Sequence, residues 1–212
     1  SEYARWIIWA DLGWITSLFI FMFRSKHYKT DPALHYLQFD SISNPKMCVA
    51  IPSYNEEQSI GKVVTDYKNQ KFVESVIVVD NNSSDNTVEV AKQHGATVVT
   101  KNENKGFSHS YVLGLKESLK TDANIIVTTE ADGSFSGGDL SKLLPYLENC
   151  DMVTGTRQTQ ILTEKGNQNS RFLVWGNLFL AKLIQLKHFS LDHSAVVNLT
   201  DVGCYFMIIK RD

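Results

Sequence analysis

Short apolar runs alternate with segments of helical periodicity from Met47 onward, and this alternation limits the folds that the chain can adopt. The apolar runs are rich in Val and Ile, which is typical of strands buried on both faces of a sheet. They read MCVAIP, VESVIVVD, ATVVT, ANIIVTTE and DMVTGT. Strands that alternate with helices of this length predict an α/β fold with a mostly parallel sheet flanked by helices.

The helices between these runs are predicted from the spacing of their apolar residues. One helical face is formed by residues three and four positions apart, namely Ile60, Val63, Val64 and Tyr67. Further helices are predicted to begin near Val88 and to cover Ser108–Leu119 and Leu140–Leu147.

A hydrophobic segment from Trp6 to Phe23 precedes the alternating body. Its length is close to the roughly 17–25 residues that cross a bilayer, and the basic residues Arg24, Lys26 and Lys29 follow it as on a cytosolic flank. Asp11 opposes a spanning arrangement, because an acid near the middle of a membrane costs about 2.5–3.5 kcal/mol. We therefore expect a membrane-associated helix that spans the bilayer or lies on its surface. Packing against the rest of the protein is the alternative.

These features predict a hydrophobic helix at 1–29, a polar linker at 30–46 and one α/β domain at 47–212. The net charge of −2 lacks the basic surplus typical of nucleic-acid-binding proteins, so no nucleic-acid partner is expected. The three cysteines form no CxxC pair, and Cys48 and Cys204 lie in apolar runs. Buried thiols of this kind fit a reducing compartment, so we expect the domain to face the cytoplasm.

Acidic and amide residues follow three of the predicted strands at the point where each strand ends. The three turns read PSYNEE at 52–57, DNNSSD at 80–85 and EADG at 130–133. Ligands of such sheets bind at the carboxyl ends of the strands. We therefore expect the three turns to share one edge of the sheet and to form a ligand site there.

The EADG turn supplies two acids separated by one residue, Glu130 and Asp132. Carboxylates at this spacing can converge on one Mg²⁺ or Mn²⁺ ion, whose remaining ligands can be diphosphate oxygens. Such an ion neutralises a departing diphosphate. Acids after a strand are also common turn formers, but the edge shared with Asp80 and the PSYNEE turn favours the metal site.

The other two turns hold further candidates, each with a structural alternative. Asp80 can bond a ribose or a base, or it can close an Asx-turn, a role for which Asp85 is the stronger candidate. Asn55 and Glu56 can face a ligand, or they can begin an ordinary helix. For the glutamate, the sequence favours a ligand role and a helix-start role equally.

Lys105 and Gly106 directly precede a predicted helix. A lysine at a helix N-terminus can contact a phosphate, and a solvated lysine is the alternative. The GxxxxGK[ST] spacing of a Walker loop is absent from the sequence.

These ordered motifs together resemble the family 2 glycosyltransferases, which are inverting enzymes with the Rossmann-like GT-A fold. The resemblance covers Met47–Asp212, about four-fifths of the chain. It is strongest to the branch of dolichol-phosphate mannosyltransferases and related polyprenyl-phosphate sugar transferases. The segments that carry it are CVAIPSYNEEQSIGKVV, VIVVDNNSSDNT, NKGFSHSYVLGL, IIVTTEADG, VTGTR and DVGCYFMIIKRD.

The resemblance implies a nucleotide diphosphate sugar as donor, either a UDP- or a GDP-sugar, with Mg²⁺ or Mn²⁺ as cofactor. Metal binding is assigned to Asp132 and Glu130. Catalytic roles fall to Asp132, to Asp201 as base or acceptor-positioning group, and to Arg157 in a GxR motif. Donor contacts are assigned to Pro52, Tyr54, Asn55, Glu56, Asp80, Asn82, Lys105, Gly106 and Ala131.

The same branch implies transfer to a polyprenyl or dolichyl phosphate, whose phosphate Arg157 and Arg171 can hold by paired hydrogen bonds. A phosphate is already ionised and needs no strong base, whereas a saccharide hydroxyl, the alternative acceptor, needs one. Two other functions stay open: a nucleotidyltransferase, whose basic glycine-rich loop is poorly matched by PSYNEEQSIGK, and a sugar-nucleotide binding module without turnover.

The chain departs from the family pattern at four places. Glu130 replaces the usual first aspartate of the metal-binding segment, and Asn81-Asn82 replaces an acidic–glycine pair. Ser134 and Gly137-Gly138 stand where QHPPE-like residues are typical. Tyr205 stands where a glycine is expected. These differences leave the sugar, the base and the acceptor unassigned.

Overall fold

The computed structural model describes residues 2–23, 41–156, 171–187 and 201–211. Within these ranges the strands are β1 (Met47–Ser53), β2 (Val73–Asp80), β3 (Thr97–Thr100), β4 (Ile125–Thr128), β5 (Met152–Thr154) and β6 (Met207–Lys210). The α-helices are α1 (Glu2–Phe23), α2 (Ile60–Lys68), α3 (Thr87–Gln93), α4 (Phe107–Ser118), α5 (Leu140–Leu143) and α6 (Arg171–Lys187). Two 3₁₀ helices cover Gly137–Asp139 and Leu144–Asn149.

The strands form one sheet in the order β3-β2-β1-β4-β6-β5. Strands β1 to β4 are parallel to one another, and the register pairs Ser53 at the end of β1 with Asp80 at the end of β2. Strand β6 runs antiparallel to both β4 and β5. The carboxyl ends of β1, β2 and β4 therefore meet the amino end of β6 at one edge.

The sheet is mostly parallel, as predicted: β1 to β5 run in one direction, and β6 alone of the described strands runs in the opposite direction. No strand was predicted in DVGCYFMIIKRD, which was quoted only for the family resemblance. Strand β6 covers Met207–Lys210 of this segment, and Ile208 within it is fully buried. Its antiparallel direction has no signal in an alternation of strands and helices.

The core forms around β1, which is buried along its whole length. The four residues predicted to share a face of α2 are all buried in this core. One of them, Tyr67, donates its hydroxyl hydrogen to Thr129 Oγ1 at 2.9 Å, and burial raises the pKa of this phenol. Cys48 and Cys204 are also buried, as predicted. This packing fixes the strand ends that carry the polar turns.

The helix predicted over Leu140–Leu147 is shorter than expected. Helix α5 ends at Leu143 and continues as a 3₁₀ helix with Pro145 in its first turn. Proline has no backbone N–H to donate to the preceding turn of an α-helix, and its ring clashes there. The prediction overlooked this break.

The chain divides into two compact units, one comprising 1–38 and 156–203 and the other 39–155 and 204–212. The second unit contains the sheet. In the first, α1 contacts α6, and the side chains described in α1, from Arg5 to Ser17, are all exposed. None of the helices in the described ranges combines the length and the apolarity that crossing a membrane requires.

Gly114 permits the close packing of α4 on β1 and β2. A Cβ atom there would lie 3.1 Å from the Cβ of Ala50 and 3.4 Å from Cγ2 of Val79. We expect Gly114→Val to lower the free energy of unfolding by about 1–3 kcal/mol through overpacking, as measured by urea denaturation. The matched control is Gly138→Val, since the nearest atom to a Cβ at Gly138 is Ser136 Oγ at 3.5 Å. Equal losses in the two variants would contradict this account.

Candidate functional site

A cavity of about 460 Å³ opens at the edge of the sheet where the polar turns meet. Its volume lies in the usual range for small-molecule sites, and all its lining residues belong to the unit that contains the sheet. Several of the residues singled out in the sequence line this one space: Pro52, Tyr54, Glu56, Gly106, Glu130, Ala131 and Asp132.

Other lining residues were not assigned to the site from the sequence. They are Ser53, Asn81, Asn104, Phe107, Ser110 and Tyr205. Most of them are immediate neighbours of assigned residues in the same turns. The sequence therefore indicated which turns line the cavity, but it did not indicate which side chains within them do so. Tyr205 had a signal of its own, because it replaces an expected glycine.

Ser53 is among the residues that line the cavity, but its hydroxyl is buried. The residue is 4% exposed, and among the described residues its Oγ atom has no hydrogen-bond partner. A buried polar group without a partner costs about 1–3 kcal/mol. This local cost lies at the last residue of β1, at the edge of the sheet where the cavity opens.

Ser134 orients the carboxylate of Asp132. Its Oδ1 atom accepts a hydrogen bond from the Ser134 backbone N–H at 2.9 Å, and its Oδ2 atom accepts one from Ser134 Oγ at 2.7 Å. Each carboxylate oxygen retains capacity for a further contact. Glu130 lines the same cavity two residues earlier.

These two carboxylates fit a hard divalent cation that is shared with a ligand. Within the described ranges, no group of three or more His, Cys, Asp or Glu residues is close enough to form an all-protein metal site. Mg²⁺ is commonly held by one or two carboxylates together with phosphate oxygens and water. Glu130 and Asp132 supply that number of protein ligands of the right chemistry.

Asp80 lies beneath the cavity and does not line it. It is 3% exposed, and both of its carboxylate oxygens accept from the Ser83 backbone N–H at 3.3 Å. This contact shapes the turn after β2, where Asn82 is exposed and has a φ of 66°. Asparagine tolerates this left-handed conformation better than most residues. A direct contact of Asp80 or Asn82 with a donor remains a prediction.

The turn after β1 is bonded to the turn after β2. Asn55, with a φ of 55°, donates its backbone N–H to Ser83 Oγ at 2.9 Å. Its side-chain oxygen accepts from the Ser84 backbone N–H at 2.8 Å. The Asn55 side chain is thus committed to the neighbouring turn, while Tyr54 beside it lines the cavity.

The two glutamates of PSYNEE belong to the same junction. The backbone N–H groups of Glu56 and Glu57 donate to Thr87 Oγ1 at 2.8 Å and to Asp85 Oδ2 at 3.2 Å. In return, the Asn86 backbone N–H donates to Glu57 Oε2 at 3.0 Å. The junction therefore locks the two turns together at the start of α3.

Asp85 has the turn-forming role that the sequence analysis favoured for it. Its Oδ1 atom accepts from the Thr87 backbone N–H at 3.0 Å and from the Thr87 hydroxyl. Burial raises the pKa of the Asp85 carboxyl, but the hydrogen bonds from Thr87 and Glu57 together lower it by more, so it lies below its ordinary value of 3.8.

Asn81 is the centre of a polar network at one wall of the cavity. Its Oδ1 atom accepts from Lys101 Nζ at 2.5 Å and from the Lys105 backbone N–H at 3.1 Å, and its Nδ2 group donates to Asn104 Oδ1 at 2.7 Å. Lys101 also donates to Ser110 Oγ at 3.1 Å. Burial, with the nearby charge of Lys105, lowers the pKa of Lys101. The network holds a cationic group close behind the cavity wall.

Gly106 ends this loop with a φ of 81° and a ψ of 170°, immediately before α4. That conformation strains any residue with a Cβ atom, so glycine is required there. The side chain of Lys105 forms an exposed ion pair with Glu103. A phosphate contact by Lys105 therefore remains a prediction that requires this pair to open.

Two catalytic candidates are not placed at the cavity. Asp201 belongs to the other compact unit, where it is buried and its Oδ1 atom accepts from the Gly203 backbone N–H at 2.8 Å and from Asn177 Nδ2 at 3.4 Å. Arg157 lies outside the described residues. Arg171 begins α6. The roles of all three stay predictions.

The hydrogen bonds that Asp85 accepts in the junction between the two turns make the stability of the fold depend on pH. Because the pKa of Asp85 is lower in the folded chain than in the unfolded one, its stabilisation is present above the unfolded pKa and is lost as the pH falls through the folded pKa. We expect Asp85→Asn to lower the free energy of unfolding by about 0.5–1.5 kcal/mol near neutral pH and by much less near pH 3. Urea denaturation at the two pH values tests this. Asp122→Asn, at an exposed acid, is the control, and a pH-independent effect of Asp85→Asn would contradict the assignment.

Two curated relatives each match half of the chain or somewhat more. The uncharacterized protein MJ1222 of Methanocaldococcus jannaschii is 34% identical over 122 residues, which are 57% of this chain and 50% of that protein. The UDP-N-acetylglucosamine–dolichyl-phosphate N-acetylglucosaminyltransferase of Methanococcus voltae is 31% identical over 126 residues, 50% of this chain and 50% of that protein. The chain thus spans about half the length of these relatives.

A solved structure shares the fold. It is the crystal structure of glucosyl-3-phosphoglycerate synthase from Mycobacterium tuberculosis in complex with Mn²⁺, UDP and phosphoglyceric acid. The TM-score is 0.55 at 19% sequence identity, and the match covers 79% of this chain and 56% of that one. This likeness confirms the expected Rossmann-like GT-A fold in its mixed α/β form. The model of the family described as Glycosyl transferase family 2 matches residues 48–212, and the chain belongs to this family.

Proposed function

We propose that the chain is a metal-dependent glycosyltransferase that moves a sugar, with inversion, from a UDP- or GDP-sugar to a polyprenyl or dolichyl phosphate. The observation that carries the proposal is the single cavity lined by the turn after β1, by Asn81 and by the acids Glu130 and Asp132. Membership of the family supports a sugar transfer. The solved relative with Mn²⁺ and UDP supports a nucleotide donor and a divalent cation.

The polar turns suggest how the donor is oriented. The base and ribose would lie on the side of Tyr54 and the turn after β2, and the diphosphate beside Asp132. Glu130 and Asp132 would hold Mg²⁺ or Mn²⁺, which offsets the negative charge that develops on the departing diphosphate. Lys101, behind Asn81, adds positive potential on the same side of the cavity.

The transfer itself requires one bond to form and one to break. An acceptor oxygen bonds to the anomeric carbon from the face opposite the diphosphate, and the bond from that carbon to the diphosphate oxygen breaks, so the nucleoside diphosphate leaves with the electron pair. A phosphate acceptor brings no proton to remove. We assign the acceptor phosphate to Arg157 and Arg171, and a hydroxyl acceptor would instead need Asp201 as base.

A lipid-phosphate acceptor is supported by the relative from Methanococcus voltae, whose name specifies dolichyl phosphate. It is also supported by α1, whose tryptophans Trp6, Trp9 and Trp14 are 74%, 68% and 77% exposed. Exposed apolar surface of this extent is typical of an interaction with membrane or protein. We assign 1–29 to membrane association, 30–46 to a linker and 47–212 to catalysis. The basic residues after α1 in the sequence favour the anionic cytoplasmic leaflet.

The metal assignment is tested by Asp132→Asn. The change keeps the size of the side chain and its hydrogen bond from the Ser134 backbone, but it removes the charge that would hold the cation. We expect sugar transfer or donor hydrolysis with Mn²⁺ to fall at least about 100-fold, with an unchanged melting temperature. The control, Asp122→Asn, should keep the native rate. A native rate for Asp132→Asn refutes the metal assignment, and donor binding without turnover by the native chain supports a binding module.

The membrane assignment is tested by replacing Trp6, Trp9 and Trp14 with Gln. We expect the triple variant to lose most of its cosedimentation with vesicles that contain anionic lipid, because the amphipathic indole rings favour the membrane interface. The control is Tyr146→Gln, at a residue that is 65% exposed in the other unit. Undiminished vesicle binding by the triple variant would show that α1 is not the membrane contact.

A further inference from the structure

Three aromatic rings cluster at one side of the cavity. The ring centroids of Phe107 and Tyr205 are 4.5 Å apart, and that of Tyr111 lies 6.3 Å from Phe107 and 6.0 Å from Tyr205. Phe107 and Tyr205 line the cavity, while Tyr111 stands behind them. We call Phe107 and Tyr205 the aromatic wall.

The wall is held in place from two directions. Tyr205 lies two residues before the start of β6, and its carbonyl oxygen accepts a hydrogen bond from the buried Thr128 Oγ1 at 2.8 Å. Tyr111 donates its hydroxyl hydrogen to Met207 Sδ at 3.6 Å, which ties α4 to the same strand. These contacts place the Tyr205 backbone, and the helix α4 that begins with Phe107, next to the end of β4, shortly before Glu130 and Asp132.

The chemistry of the wall excludes some parts of a nucleotide sugar and favours others. An aromatic face is a poor partner for a diphosphate, because a charge against it loses water without gaining hydrogen bonds. A pyranose ring, in contrast, has an apolar face of C–H groups that can pack flat on an aromatic ring. Pockets for such ligands typically combine aromatic walls with a few placed polar groups. The wall thus suits a sugar or a base.

The order of the strands separates these two occupants. Strands β2, β1, β4 and β6 lie side by side, at a spacing of about 4.8 Å. If the diphosphate lies at Glu130 and Asp132 after β4, then the nucleoside extends toward β1 and β2, where Tyr54 and Asn81 line the cavity. The sugar, attached to the other end of the diphosphate, then falls on the β6 side, against Tyr205.

We propose that the aromatic wall binds the ring of the transferred sugar, and that Tyr205 is a specificity-determining residue for the donor. This inference rests on the proposed glycosyltransferase function. A sugar with an uninterrupted apolar face gains most from the wall.

The test compares each nucleoside diphosphate with its own sugar nucleotide. Calorimetric titrations of UDP, UDP-N-acetylglucosamine, GDP and GDP-mannose are made with MnCl₂ present on the native chain, Tyr205→Ala and Tyr205→Phe. For Tyr205→Ala we expect Kd for the sugar nucleotide that the native chain binds to rise about five- to tenfold. Kd for the matching nucleoside diphosphate should change less than about twofold. Tyr205→Phe keeps the ring and should keep the native values.

The other outcomes separate failure of the inference from failure of the proposed function. Tyr146→Ala, at an exposed tyrosine away from the cavity, serves as the matched control and should change nothing. An equal loss for both ligands in Tyr205→Ala, or no loss for either, overturns the sugar contact and leaves the donor site standing. Binding of a nucleoside diphosphate but of neither sugar nucleotide by the native chain also overturns it. If the native chain binds none of the four ligands, the proposed function fails, and the inference fails with it.

Discussion

Parallel pairing of β1 with β2 and with β4 is the constraint on which the site depends. It brings three carboxyl ends to one edge, so that the turns that follow these strands line one cavity although they are far apart in sequence. Strand β1 is buried along its whole length, and a shift of its register by one residue would turn every core side chain to the opposite face. The position of the polar turns is therefore fixed by the packing of apolar residues that never contact a ligand.

The parts of the fold that were predictable are those with a repeating pattern. Runs of Val and Ile identified five of the six strands, and the spacing from Ile60 to Tyr67 identified the buried face of α2. No strand was predicted at β6, although it is as long as β3 and β4, and α5 was overestimated because Pro145 was overlooked. In α5 a single proline determined the outcome against a periodic signal.

The site was predictable to the level of the turn and less so to the level of the side chain. Acids at a strand end were expected to face a ligand, and Asp132 does line the cavity. Asn55 instead bonds to the neighbouring turn, and Asp80 bonds within its own turn. Sequence alone does not distinguish these cases, because the same carboxylate or amide satisfies a turn or a ligand depending on which backbone N–H groups the tertiary fold brings near it.

The bonding between the turns after β1 and β2 has a consequence for substitutions in either turn. Asn55 and Glu57 supply partners for the second turn, and Ser83 and Asp85 supply partners for the first. A substitution on one side leaves an unmatched group on the other, so the two loops form one structural unit with matched partners. Replacing one loop alone by a foreign sequence would break these contacts, and a loop graft onto this scaffold accordingly calls for exchanging both loops as a set.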